Sequence, residues 1–132
     1  MKKTMIPTVI LVVVTAVVLF AQQTTPFKRT VLQQVDTSIP GREAITAVGE
    51  FQPGAVAGRH THPGEEIGYI LEGTVVVEID GKPNQTLGPG KAFVIPAGAI
   101  HNARNTGSGI ARVLATYIIE KGKPLATPVA GR

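Results

Sequence analysis

The chain has no cysteine and no tryptophan, and only 2 tyrosines, 4 phenylalanines, 2 methionines and 3 histidines in 132 residues. Without thiols there is neither a disulfide framework nor a thiolate metal site, so any metal ligands are nitrogen or oxygen atoms. Low aromatic content removes a stacking platform for bases. The net charge of +4 is spread among mixed charges with no basic cluster, so there is no case for a nucleic-acid partner. There is no internal repeat and little helical periodicity. Instead, 15 glycines and 10 prolines punctuate short β-branched runs, and the length suits one domain with one core.

The N-terminus differs from the rest. Lys2 and Lys3 precede an apolar run over residues 5–20, broken only by Pro7, Thr8 and Thr15, and Ala21 offers a small residue at a cleavage point. The expectation is a signal-peptide helix over 1–21, which sends the mature chain to the periplasm or outside the cell. Leu19, a large residue at the −3 position, keeps an uncleaved membrane anchor open as the alternative, although the run is shorter than the roughly 20 residues a span needs. Loss of Lys2 and Lys3 lowers the formal charge from +4 to +2.

All three histidines fall in one constellation. His60 and His62 are two apart, so on an extended strand both imidazoles face one side. Glu66 follows the turn pair Pro63 and Gly64. His101 arrives from far along the chain, as a folded barrel and not a local peptide would supply it. Three imidazoles and one carboxylate suit Zn, Mn, Fe, Ni or Cu and disfavour Ca. In a chain that folds after export, Zn and Cu bind such ligands more tightly than Mn or Fe(II).

Gly54, His60, His62, Glu66 and Gly73 fit the pattern G-x5-H-x-H-x3/4-E-x6-G, and Gly90, Pro96, Gly98, His101 and Asn105 fit G-x5-P-x-G-x2-H-x3-N. With both motifs in place the chain resembles the cupin superfamily, as a small single-domain member. The resemblance implies an all-β, double-stranded β-helix (a jelly-roll barrel) over residues 22–123. It also implies a metal at His60, His62, Glu66 and His101 with positions open to a ligand, and a homodimer formed through the first strand. It does not name a reaction, because the fold hosts many.

Alternation and turn residues predict strands over 27–35, 43–51, 67–71, 74–79, 82–87, 93–95 and 110–119, with Asp80 and Gly81 at a hairpin turn. Residues 124–132 are expected to form a flexible tail with little means of joining a core. Asn105 is assigned to backbone hydrogen bonding, and Glu65 to a solvated rim. Tyr69, Arg104, Arg112 and Tyr117 are the polar groups that sequence parity leaves as pocket candidates. Asn84, Gln85 and Thr86 match a glycosylation sequon, which is too short a pattern to weigh.

Two functions remain open. One is a metal-dependent enzyme acting on a small oxygen-rich molecule as a dioxygenase, decarboxylase or isomerase, with Glu66 as a speculative base. The other is a non-catalytic module binding a metal or a small ligand, favoured by the absence of a further histidine or cysteine to act as acid or base.

Overall fold

The computed structural model describes residues 26–131. The signal-peptide helix expected over 1–21 lies outside these described residues. Within them the chain forms ten strands and no helix. These are β1 (Phe27–Asp36), β2 (Arg42–Phe51), β3 (His60–Thr61), β4 (Gly64–Glu72), β5 (Val75–Ile79), β6 (Gln85–Leu87), β7 (Ala92–Ile95), β8 (His101–Asn105), β9 (Ala111–Glu120) and β10 (Thr127–Pro128). They build two antiparallel five-stranded sheets, ordered β1-β2-β9-β4-β7 and β10-β3-β8-β5-β6, packed as a jelly roll.

The alternation that predicted strands also fills the interior. On β9 the residues Ala111, Val113, Ala115, Tyr117 and Ile119 point inward, and on β2 the inward set includes Ile45, Ala47 and Phe51. Val75, Val77 and Ile79 of β5 face them from the other sheet, with Ile70 and Ile95 fully buried between. Each large aliphatic side chain buried this way contributes roughly 1.5–3 kcal/mol from apolar surface removed from water. Phe27 of β1 packs on Phe51 at 4.5 Å between ring centroids, tying the edge strand to the core.

Two glycines are required by the backbone. Gly73 turns the chain between β4 and β5 at φ +75°, and a Cβ there would meet the Ala111 backbone at 2.7 Å. Gly68 sits opposite Phe93 in the β4–β7 ladder, where a Cβ would lie 2.1 Å from the ring. Only a glycine lets Phe93 lie across β4.

Within the segment expected to be a flexible tail, residues 125–129 pack on the barrel. Thr127 and Pro128 pair with Thr61 and His60 on β3, the Val129 amide donates to the Arg59 carbonyl at 2.9 Å, and Leu125 packs against the cluster of Ile45, Tyr117 and Ile119. β3 would otherwise be a sheet edge with open backbone groups, and the tail closes it.

Asn105 has the backbone role expected of it. Its Nδ2 donates to the carbonyls of Phe51 (3.1 Å), Gln52 (3.2 Å) and Gly109 (2.8 Å), and its Oδ1 accepts from the Gly107 amide at 2.9 Å. The side chain is 1% exposed, so water cannot replace these partners. Asn105→Ala is expected to destabilise the fold by about 3 kcal/mol, and Asn105→Asp by at least as much, because a carboxylate cannot donate to carbonyls. Urea unfolding monitored by circular dichroism measures both losses.

Candidate metal centre

The ladder registers bring the four predicted ligands together from both sheets. His60 and His101 are direct cross-strand partners on β3 and β8. His62 lies between β3 and β4. Glu66 projects from β4 in the opposite sheet, where its cross-strand neighbours are Tyr117 and Ile95. A turn at Pro96–Ala99, with Gly98 at φ +71°, sets the entry to His101, and the Gly98 amide donates to the His62 carbonyl at 3.0 Å. That bond joins the two motif segments directly.

Each imidazole is anchored at Nδ1 by a backbone carbonyl: His60 by Gly58 (2.6 Å), His62 by Leu125 (2.6 Å) and His101 by Ala99 (2.9 Å). A carbonyl only accepts, so Nδ1 carries the proton and the neutral ring presents its Nε2 lone pair. The three rings aim these atoms at one region. His60 Nε2 and His62 Nε2 are 3.2 Å apart, and the donor atoms of the three histidines lie within 4.8 Å of one another. Glu66 Oε2 is 3.1 Å from His62 Nε2 and 3.3 Å from His101 Nε2. Lone pairs and a carboxylate packed this closely repel unless something positive stands among them. His101 Nε2 is also buried without a hydrogen-bond partner. The donor set therefore fits a divalent transition metal bound by nitrogen and oxygen.

The protonation states agree with that fit. Burial pushes His60 down to about 4; the Gly58 carbonyl opposes the fall, and the charges of His101, His62 and Arg29 add to it. Burial would raise Glu66; protons carried toward it on the His101 and His62 rings outweigh burial and bring the carboxyl down to about 2, and a metal cation in the same place acts in the same direction. At neutral pH His60 is thus neutral and Glu66 is charged, as metal ligation requires. Burial raises the Tyr117 phenol, the Glu66 charge raises it further, and Arg29 opposes.

A cleft of about 430 Å³, counted to its open mouth, reaches His60, Glu66 and His101. Of the four pocket candidates, only Tyr117 lines it. Tyr69 lies on the outer face at 45% exposure. Arg104 pairs with Glu78, and Arg112 pairs with Glu50 and Glu72. Glu65 is exposed, as expected. One cleft-lining side chain that the sequence did not single out is Arg29, beside Phe27. Its signal was present: Phe27 and Arg29 share one parity on β1, and Phe27 faces the core.

The family profile described as a cupin domain matches residues 47–117. This chain is a cupin. It is 34% identical over 87 residues to the HTH-type transcriptional regulator PuuR of Escherichia coli (strain K12), covering 65% of this chain and 46% of that one. It is 35% identical over 85 residues to Germin-like protein 1 of Brassica napus, covering 61% and 41%. The chain thus spans less than half the length of these curated relatives. Among solved structures, oxalate oxidase in complex with the substrate analogue glycolate superposes with a TM-score of 0.64 at 24% identity, covering 79% of this chain and 55% of that one. The polyketide cyclase RemF of Streptomyces resistomycificus superposes with a TM-score of 0.62 at 25% identity, covering 81% and 73%.

The Leu125 carbonyl is the anchor that comes from outside both motifs. A chain ending at Lys123 loses it and is expected to bind zinc about tenfold more weakly, the lower end of the loss for removing such a support. Competition against a chromophoric chelator measures this. An unchanged affinity would show that the tail does not orient His62.

Proposed function

We propose that this cupin holds one divalent transition metal through His60, His62, Glu66 and His101, and that a small oxygen-rich molecule binds beside it in the cleft. The observation that carries the reading is the shared orientation of the three imidazoles, each with its proton committed to a carbonyl and its Nε2 turned to the same place as Glu66 Oε2. Zn, Mn, Fe, Ni and Cu all suit these ligands. The metal, when bound, supplies a Lewis acid that polarises a ligand oxygen.

The remaining chemistry belongs to the chain. The three anchored histidines and Glu66 hold their donor atoms in place before any ligand arrives. Phe51, Phe93 and Val113 keep the cleft wall apolar, which strengthens electrostatic contacts inside it. Tyr117 stays protonated at neutral pH and donates instead of abstracting a proton. Glu66, at about 2, is a weak base.

The second reading is a binding module without turnover. One observation favours it: apart from the ligands, the polar side chains lining the cleft are Arg29 and Tyr117, and neither accepts a proton at neutral pH. The resemblance to part of a transcriptional regulator supports the same reading.

Metal analysis of the purified protein tests the site. One equivalent of metal is expected, with His101→Ala lowering zinc affinity at least 100-fold; full retention would overturn the assignment. Turnover of keto acids, diketones or phenolics by the loaded protein separates enzyme from binder.

Export and a homodimer belong to the same proposal. Val31, Leu32 and Val35 on the edge strand, with Ile67, Tyr69 and Val94, place exposed apolar side chains on the first sheet, where a second copy would cover them. Native mass spectrometry of protein from the producing cells is expected to give a dimer of chains beginning at Gln22. A monomer, or a chain retaining residues 1–21, would refute the corresponding part.

A further inference from the structure

Arg29 is placed unlike the other arginines of the barrel. It lies on β1 opposite Gly49, which has no side chain to fill the space beside it. Its guanidinium carbon sits 5.4 Å from the Phe27 ring centroid and 5.6 Å from that of Tyr117, so two aromatic faces hold it over the cleft. It also lines the neighbouring hollow toward the tail, together with Arg59, His60 and Pro128. Arg29 therefore stands where the two hollows meet.

Three other arginines of the barrel are paired with carboxylates, and Arg42 donates to the Pro63 carbonyl. Arg59 makes a two-pronged ion pair with Asp80 at 2.8 and 2.7 Å. Arg104 pairs with Glu78, and Arg112 with Glu50 and Glu72. Arg29 forms no ion pair among the described residues. A guanidinium offers five donors in a planar fork that matches a carboxylate, and a half-buried one held between aromatic rings has little entropy left to lose on binding.

The rest of the cleft limits what the anion carries. Phe27, Phe51, Phe93 and Val113 present apolar surface, so the anion's body is short and apolar. Opposite Arg29 lie His60 and Glu66, where a ligand oxygen would approach the metal of the proposed function.

We propose that Arg29 is the specificity-determining residue of this cleft. It binds the carboxylate of a small organic acid whose short apolar body lies on Phe27, Phe51 and Val113 and whose second oxygen turns toward His60 and Glu66. The inference rests on the cleft being the ligand site, but not on the metal being bound. The two ends of the site can therefore be tested apart.

The test compares 2-hydroxybutanoate with 2-hydroxybutanamide, which match in shape and differ in charge. Their binding is followed by ligand-observed NMR and calorimetry on zinc-loaded and on EDTA-treated protein. Wild-type protein is expected to bind the acid at least tenfold more tightly than the amide in both forms. Arg29→Met, which keeps the length and apolar stem, is expected to abolish that preference while leaving zinc affinity within twofold. Arg29→Lys is expected to restore part of it, which a merely structural role would not explain. A preference that survives Arg29→Met, or one absent from wild-type protein in both forms, would overturn the proposal. A preference present with EDTA in a protein that takes up no zinc would uphold Arg29 and refute the metal reading instead.

Discussion

The commitment of three imidazole protons to three backbone carbonyls is the constraint on which the rest of this structure depends. An unanchored histidine can rotate, flip and present either nitrogen. Here Gly58, Leu125 and Ala99 each accept from an Nδ1, so the choice is made by the backbone. What remains is a set of Nε2 lone pairs with one direction in common, next to a carboxylate that burial alone would have neutralised. The cost of crowding these groups together is met by the rest of the barrel, whose two sheets meet at this point.

Closure of the barrel is what makes the crowding possible. His60 and His101 pair across one sheet, and Glu66 belongs to the other. Slippage of β4 by one residue would turn Glu66 outward and bring Glu65 in, since strand side chains alternate in direction. The register is held by the long β4–β9 ladder and by Phe93 lying across Gly68. Asn105 fastens the end of β8 to the end of β2 through two side-chain hydrogen bonds, and to the β8–β9 loop through two more. Packing far from the imidazoles thus decides where they point.

Much of this was legible in the residues. The long strands were readable because their alternation reflects one buried and one exposed face; β9 follows it at every position. The ligands were readable because their types are rare in the chain and their spacings suit a strand, a turn and a distant partner. Of the short strands, β3 is signalled only by the spacing of His60 and His62, and β8 and β10 by no apolar period. β3 and β10 have two residues each, too few for a period, and β8 carries the polar sequence His101 to Asn105, buried by the histidine cluster and by backbone hydrogen bonds and not by apolar side chains. The tail was misjudged for the same reason: Pro124 and Pro128 suggest a free end, but Pro128 needs no amide donor where it sits, and Leu125 reaches the core. Arg29 was passed over because parity placed it with Phe27 on an edge strand, and an arginine on an edge is ordinarily a solvated one.

The Leu125 carbonyl carries a consequence for the order of assembly. His62 leaves the ribosome 63 residues before the carbonyl that fixes it. A nascent chain therefore holds its cluster with one ring still free to turn, and the arrangement is complete only when the segment carrying Leu125 has docked. During synthesis the donor set is therefore less organised than in the finished barrel.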